Sequence, residues 1–200
     1  MLAKRAFDLL FAGSVILLLF PWLLVLAIAV KLDSDGPVLF RQVRVGRFGR
    51  QFRILKFRTM LDSSGSGGPQ ITVGADPRIT RVGAFLRKYK LDELPQFINV
   101  LLGDMSVVGP RPEVPRYVAL YPEALREVVL SVRPGITDLA SINFHAESAL
   151  LAQCRDPEAT YVNEVMPAKL EYCKRYVANR SFVGDLRIIA RTLTKIFRRH

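Results

Sequence analysis

The feature that most constrains this chain is an almost wholly apolar run over residues 6–30, interrupted by Asp8 and Ser14. A run of that length can cross the hydrocarbon core of a bilayer as a helix. No small-residue cleavage motif follows it, so a cleaved secretion signal is not indicated. The simplest interpretation is a single transmembrane anchor.

Two features of the run favour a different path through the membrane. Pro21 lies near its middle, where proline removes one helical hydrogen bond and bends the helix. Cations flank both ends, so the positive-inside rule gives no clear orientation. These cations are Lys4, Arg5, Lys31, Arg41 and Arg44. Both facts fit a helix, a break and a second helix that dip into one leaflet and return, and the residues alone leave this path and the spanning anchor open.

The net charge narrows the choice of partners. The 200 residues carry 29 Lys and Arg against 18 Asp and Glu, which gives a formal charge of +11. We expect a polyanionic partner, which is nucleic acid, an anionic membrane surface or a phosphorylated substrate. The length is that of one domain with its own core. Two cysteines and two histidines indicate neither a disulfide framework nor a metal cluster, so we expect free thiols in a reducing compartment.

Residues 38–58 predict a basic β-hairpin. They contain seven cations and no acid, together with β-favouring Val, Ile and Phe, and glycines at 46 and 49 mark the turn. Alternating cations and aromatic residues can bind nucleic acid. Because no recognition helix or RNA-binding signature accompanies them, we favour contact with lipid headgroups or substrate phosphates. A solvated basic face is the alternative.

The adjacent carboxylates of Asp92 and Glu93 are the main candidate for chemistry. They lie just ahead of Pro95, which can open a helix or kink a longer one. A helix start there would direct amides and a positive dipole end at an anion. The cations that precede the pair are Arg81, Arg87, Lys88 and Lys90. An acid pair among cations suits a site for a metal ion and a polyanion, and a solvated helix start is the alternative.

The segments around this pair predict helices and loops. Residues 62–69 are a flexible loop of the kind that forms a lid or a binding loop, and helices are expected over 82–89, 122–132 and 143–157. Arg111 lies in the Gly/Pro-rich loop 103–112, and Arg133 begins a tight turn. The planar fork of arginine matches phosphate oxygens. We assign no chemistry to His145.

The carboxy-terminal stretch from Gly184 predicts an amphipathic basic helix. Its apolar residues at helical spacing are Leu186, Ile189, Leu193, Ile196 and Phe197, and the cations of another face are Arg187, Arg191, Lys195 and Arg198. Such a helix is typical of a membrane surface. Packing on the core with a solvated basic side is the alternative.

Taken together, these motifs resemble the bacterial sugar transferases, the small monotopic phosphoglycosyl transferases. Seven pieces occur in order through most of the chain. They are Lys4-Arg5-x-x-Asp8 before a proline-containing apolar helix, Gly36-Pro37-x-x-Phe40-x-Gln42-x-Arg44-x-Gly46, Lys56-Phe-Arg-Thr-Met60, Asp76-Pro-Arg-Ile-Thr-Arg-Val-Gly83, Leu91-Asp-Glu-Leu-Pro-Gln96, Gly103-Asp-Met-Ser-Val-Val-Gly-Pro-Arg-Pro112 and Arg133-Pro-Gly-Ile-Thr137. Each is weak alone, and their order and spacing make the resemblance specific.

The resemblance implies a reaction. Such enzymes move a phosphosugar from a nucleoside diphosphate sugar, usually UDP-linked, onto polyprenyl phosphate. By matching, Asp92 is the nucleophile that attacks the sugar-bearing phosphorus and releases UMP, after which the lipid phosphate attacks the phosphoryl-aspartate. Glu93 is the ligand of Mg²⁺. Phosphate or nucleotide contacts are expected from Lys56, Arg58, Arg87, Arg111 and Arg133. The cationic surroundings are expected to favour an ionised Asp92.

The resemblance also implies a fold and a location. The fold is α+β, mostly helical with a small β-hairpin and amphipathic interfacial helices. Residues 1–35 form a re-entrant membrane helix, and residues 36–200 form a catalytic domain on the cytoplasmic face of a bacterial inner membrane. The expected partners are a UDP-sugar, polyprenyl phosphate and membrane lipids, without nucleic acid, and the oligomeric state is open.

One departure from the family pattern concerns the sugar. After Arg133-Pro-Gly-Ile-Thr137 the family often has Gly and then Ala-Gln-Val-Asn-Gly-Arg, whereas Asp138-Leu-Ala-Ser-Ile-Asn-Phe follows here. This leaves the sugar open but not the reaction. The rivals are a non-catalytic basic membrane protein, which leaves the acid pair without a reason, and a metal-dependent phosphohydrolase, which needs no membrane segment.

Overall fold

The computed structural model describes residues 2–61, 73–74, 76–144 and 146–197. The loop 62–69, His145 and Arg198 named above lie outside these residues. The described chain is α+β and mostly helical, and it contains the predicted antiparallel hairpin. The predicted helices over 82–89 and 122–132 are confirmed as α2 and α5. The stretch 143–157, predicted as helical, forms only the five-residue α7 between its ends in the part described.

The elements are as follows in chain order. The helices are α1 (Leu2–Asp33), α2 (Arg81–Lys88), α3 (Gln96–Leu102), α4 (Pro115–Val118), α5 (Glu123–Leu130), α6 (Leu139–Asn143), α7 (Glu147–Leu151), α8 (Pro157–Thr160), α9 (Met166–Asn179) and α10 (Phe182–Phe197). The strands are β1 (Leu39–Val45), β2 (Gln51–Phe57), β3 (Ser106–Val108) and β4 (Gly135–Thr137). Short 3₁₀ turns cover Arg47–Gly49 and Leu91–Glu93, and a π-helical turn covers Tyr161–Val165.

The apolar run forms α1, one uninterrupted helix of 32 residues that is about 48 Å long at 1.5 Å per residue. The helical hydrogen-bonding pattern continues through Pro21, because a proline removes a single hydrogen bond and bends a helix without ending it. By length and composition α1 could cross a membrane. Leu17, Leu18 and Trp22 in its middle expose 77%, 74% and 67% of their surface.

Charged side chains fix the amino-terminal end of α1 to the rest of the fold. The buried carboxylate of Asp8 accepts hydrogen bonds from Ser106 Oγ at 2.8 Å and from the Val107 amide at 3.1 Å. Lys4 Nζ pairs with Asp185 Oδ2 of α10 at 2.6 Å. The acid that interrupts the apolar run therefore ties α1 to β3.

The carboxyl end of α1 contacts the same folded unit. Val30 packs with Phe57 of β2 and Leu86 of α2 in one buried cluster. Asp33 Oδ2 accepts the amide hydrogen of Val82 at 3.1 Å, in the first turn of α2. Both ends of α1 thus rest on one folded unit while the middle of the helix is exposed.

The hairpin of β1 and β2 is paired antiparallel along its whole length, which confirms the predicted strands and turn. Two of its cations dock it onto the domain. Arg44 Nη1 donates to Pro112 O at 3.1 Å, and Arg47 Nε donates to Ser131 O at 3.0 Å. These two guanidinium groups are therefore used within the fold, and contact of the other hairpin cations with phosphates stays a prediction.

β3 and β4 form a parallel pair that the sequence did not predict. Strands of three residues are too short to show alternation, and their Gly and Pro neighbours are typical of turns. Gly109 and Gly135 allow the two segments to approach, because a Cβ atom at either position would overlap backbone atoms of the facing segment. The pair holds the loop that carries Arg111.

The carboxy-terminal helix is confirmed as α10, with one correction to its faces. Lys195, expected among the outward cations, donates from Nζ to Ile142 O at 2.6 Å, because it shares the inward face with buried Asp185 and Ile188. Leu186 and Leu193 expose 42% and 50% of their surface. An apolar face of α10 is therefore open, and its contact with lipid stays a prediction.

Candidate active site

The acid pair lies on the 3₁₀ turn between α2 and α3. Lys90, just before it, has a φ of 59°, a left-handed conformation that is uncommon for a residue with a side chain. Asp92 and Glu93 expose only 7% and 8% of their surface. The solvated helix start is therefore wrong for this segment. Burial of two adjacent carboxylates requires partners that offset their lost hydration.

Helix α3 begins directly after Pro95, and Asn99 fixes this helix to the hairpin. The buried carboxamide of Asn99 accepts from the Leu55 amide at 2.9 Å and donates to Arg53 O at 2.9 Å. It pairs with the edge of β2 much as a neighbouring strand would. Because Lys56 follows Leu55 directly, this contact sets where Lys56 meets the acid pair.

Glu93 is bound by two of the predicted cations. Arg111 donates from Nη1 to Glu93 Oε2 at 3.0 Å and from Nη2 to Oε1, which is a two-point contact of the fork with the carboxylate. Lys56 Nζ pairs with Oε1 at 3.1 Å. The structure therefore brings Lys56 and Arg111 together around Glu93, from β2 and from the loop after β3.

Asp138, where the family pattern is broken, holds the Arg111 loop. Its Oδ2 accepts the backbone amide of Arg111 at 3.1 Å, and its Oδ1 accepts the Ser141 amide at 2.6 Å as the cap of α6. No sequence pattern predicts this contact, because the two residues are 27 positions apart. The departure therefore lies against the site and not at a remote surface.

Burial and pairing act differently on the two carboxyl groups. Burial raises the pKa of Glu93, but the charges of Arg111 and Lys56 outweigh it and hold that pKa well below its usual range. For Asp92, burial raises the pKa, the negative charge of Glu93 adds to the rise, and nearby cations oppose it. The cations near Asp92 lower its pKa, as expected, but burial and the charge of Glu93 outweigh them, so the net shift is upward.

Three further residues were predicted to contact phosphate or nucleotide. Arg87 lies near the acid pair, whereas Arg133 and Arg58 bind backbone carbonyls elsewhere in the fold. Arg87 is half-buried in the last turn of α2, and its charge lowers the pKa of Asp92. Arg133 Nε donates to Gly103 O at 2.8 Å and so ties two loops together.

Arg58 is placed differently from the prediction. It is buried, and its Nη2 donates to Ser34 O at 2.5 Å and to Val30 O at 3.4 Å, which satisfies carbonyls at the end of α1. Its Nη1 occupies the space that a side chain at Gly36 would need. The structure therefore gives Arg58 a structural role at the carboxyl end of α1.

The acid pair offers a donor set suited to Mg²⁺ that arrives with a phosphorylated substrate. Asp92 Oδ1 is buried and has no hydrogen-bond partner among the described residues, and Glu93 Oε2 accepts one hydrogen bond, which leaves a lone pair. Within the described ranges, groups of three or more acidic, histidine or cysteine ligands do not occur. Mg²⁺ commonly takes one or two carboxylates together with substrate phosphates, so these residues fit it.

Fold and site define a membrane-associated protein with a buried acid pair among cations that suit phosphate. The chain belongs to the bacterial sugar transferase family, whose family model, "Bacterial sugar transferase", matches residues 1–199. This confirms the resemblance drawn from the seven motifs.

Three relatives show how far the similarity extends. The UDP-glucose:undecaprenyl-phosphate glucose-1-phosphate transferase of Escherichia coli (strain K12) is 40% identical over 199 residues, 98% of this chain and 40% of that protein. The UDP-N-acetylgalactosamine-undecaprenyl-phosphate N-acetylgalactosaminephosphotransferase of Aeromonas hydrophila is 40% identical over 96% of this chain and 43% of its own length. The exopolysaccharide production protein PSS of Rhizobium leguminosarum bv. phaseoli is 42% identical over 95% of this chain and 92% of its own length. The chain thus spans about two fifths of the first two relatives.

Proposed function

We propose that this chain is a phosphoglycosyl transferase that moves a phosphosugar from a UDP-sugar to polyprenyl phosphate and releases UMP, as the first membrane step of glycoconjugate biosynthesis. The observation that carries the proposal is the difference between the two acids. Glu93 is bound to Arg111 and Lys56, whereas Asp92 Oδ1 is buried without a hydrogen-bond partner in the described part of the chain. The names of the two undecaprenyl-phosphate relatives support the pair of substrates.

In the first step, a carboxylate oxygen of Asp92 forms a bond to the sugar-bearing phosphorus while the bond from that phosphorus to the departing UMP oxygen breaks. A buried carboxylate oxygen that accepts no hydrogen bond is a stronger base and nucleophile, and its negative charge is removed when it bonds to phosphorus. Arg111 and Lys56, held against Glu93, place positive charge where the diphosphate carries negative charge. Little of this arrangement has to reorganise during the step.

In the second step, an oxygen of polyprenyl phosphate attacks the phosphorus of the aspartyl phosphosugar. The bond from phosphorus to Asp92 breaks, the carboxylate is regenerated, and the polyprenyl diphosphosugar leaves. Two steps allow one site to take a soluble donor and a lipid acceptor in turn. Mg²⁺, when bound, neutralises charge on the diphosphate, and we assign Glu93 as its protein ligand through the lone pair left on Oε2.

We also propose that α1 enters and leaves the cytoplasmic leaflet of the bacterial inner membrane. A spanning helix would place its two ends on opposite sides of a hydrocarbon core about 30 Å thick. Here Asp8 near one end and Asp33 near the other both make polar contacts with the same folded unit. The exposed apolar middle is the part left for lipid.

Cysteine labelling tests this topology. Ala3→Cys and Asp35→Cys place single thiols at exposed positions, in a background in which Cys154 and Cys173 are replaced. An impermeant thiol reagent should label both positions in inside-out vesicles and neither in intact spheroplasts. Labelling of either position from outside the cell would contradict the proposal.

A panel of UDP-sugars tests the reaction. The purified protein should release UMP from at least one UDP-sugar, and added polyprenyl phosphate should turn a single release into steady turnover. The panel is needed because relatives that use glucose and N-acetylgalactosamine are equally similar, at 40% identity. Steady release without acceptor would indicate a phosphohydrolase, and no release from any donor would indicate a non-catalytic membrane protein.

A further inference from the structure

Gln96, the first residue of α3, has a buried carboxamide without hydrogen bonds. Its exposure is 0%, and neither Oε1 nor Nε2 has a hydrogen-bond partner among the described residues. An amide enclosed in this way costs the free energy of its lost hydration, so buried polar groups are nearly always paired in native proteins. The exception at Gln96 therefore calls for an explanation.

Gln96 lies one helical turn after the acid pair. Leu94 and Pro95 are in the right-handed helical conformation, so the 3₁₀ turn continues into α3 without a break. Gln96 is three residues after Glu93 and four after Asp92, and residues at these spacings are neighbours on a helix surface. Side chains of helical residues point back towards the amino-terminal end, which here is the acid pair.

Asn99 provides the comparison within the same helix. It lies one turn after Gln96 on the same buried face, and both atoms of its carboxamide are bound to β2. A structural amide on this face is therefore fully used by the fold. The carboxamide of Gln96 is not, and the other unpartnered group in this segment is Asp92 Oδ1.

We propose that Gln96 is a further substrate-contacting residue of this site. Because Gln96 has no exposed surface before substrate binds, entry of the UDP-sugar must displace the side chains that cover it, and its Nε2–H then donates to a non-bridging oxygen of the phosphoryl group that is transferred onto Asp92. The carboxamide is neutral, so it can bind a phosphoryl oxygen without forming an ion pair with the Asp92 carboxylate. The nucleophile therefore stays free to attack. The inference rests on the proposed function and adds a residue to it.

The test compares the effects of Gln96→Met on stability and on rate. Met keeps the length of the side chain and removes the unpaired amide, so the variant should have a melting temperature equal to or above that of the wild type. With the UDP-sugar alone, the rate constant of the first UMP release should fall about 10²-fold, the usual loss when one positioned hydrogen-bond donor is removed. The UDP-sugar concentration that gives half of the maximal rate should stay unchanged. The matched control Asn99→Leu should lower the melting temperature, because it leaves Arg53 O and the Leu55 amide unpaired.

The rate per folded molecule decides the outcome. Gln96→Leu is measured in parallel in case Met packs poorly, and folded protein is counted by its unfolding signal. A first-release rate per folded molecule within twofold of the wild type in both variants would overturn the inference and show an ordinary core amide. A wild-type protein that releases no UMP from any donor would instead overturn the proposed function, and the role of Gln96 with it.

Discussion

Replacing Asp92 by Asn is expected to abolish UMP release and, at the same time, to leave the fold at least as stable as before. The variant lacks the nucleophile, so turnover should fall by at least about 10⁴-fold, as is usual when a nucleophile is removed. Because the pKa of Asp92 is raised by burial and by Glu93, its ionised form at neutral pH opposes folding. Asn has nearly the same volume and no charge, so its burial costs less.

Steady-state UMP release and thermal unfolding in detergent at pH 7 check both parts. The matched control is Asp35→Asn, which changes an exposed acid at the end of α1 and should alter neither quantity. Loss of activity together with a large fall in melting temperature would mean that Asp92 is a structural carboxylate. Turnover near that of the wild type would show that Asp92 takes no part in the reaction.

Replacing Arg111 by Met is expected to have the second largest effect. Glu93 would remain buried with Lys56 as its main cation, and the removal of one partner of a buried ion pair costs about 3–5 kcal/mol of the free energy of unfolding. Turnover should fall by about 10²-fold or more, since the site loses a positioned positive charge. Denaturant unfolding and UMP release measure the two losses. Arg116→Met, which breaks an exposed pair with Glu158, should change stability by about 1 kcal/mol or less.

The double variant Arg111→Met with Glu93→Gln separates stability from catalysis. Removal of the stranded charge should restore part of the stability but none of the turnover. Restored turnover would contradict the role given to the two side chains.

The pH dependence of this pair has a definite sign. The pKa of Glu93 lies below its ordinary value of 4.5, so its contribution to stability is present above about pH 4.5 and is lost as the pH falls further. The stability difference between the wild type and the double variant should therefore shrink below about pH 4.5. A difference that stayed constant from pH 7 to pH 3 would show that Glu93 gains nothing from its cations.

The sequence predicted what depends on local pattern and on the family motifs. The apolar helix, the hairpin and the basic carboxy-terminal helix are confirmed as elements, because composition and periodicity specify them. The burial of Asp92 and its raised pKa could not be predicted. The cations do lower that pKa, but burial and the charge of Glu93 outweigh them, and the burial depends on how distant segments pack.

Arg58 shows how an apparently regular pattern misleads. In a continuing strand, residues 56 and 58 would point to the same face. β2 ends at Phe57, however, so Arg58 leaves the sheet and turns to the carbonyls at the end of α1. Gln96 shows the opposite case. It ends the motif Leu91-Asp-Glu-Leu-Pro-Gln96, but the motif assigns it no contact, and its burial without partners among the described residues is what identifies it.

The intact mass of the protein after incubation with a UDP-sugar alone shows whether a covalent phosphosugar forms on Asp92. We expect a mass increment of one phosphosugar that disappears when polyprenyl phosphate is added and never forms on Asp92→Asn. Turnover that occurs only with donor and acceptor together, with no increment from the donor alone, would contradict it. A direct attack of the lipid phosphate on the donor would then replace the two-step reaction.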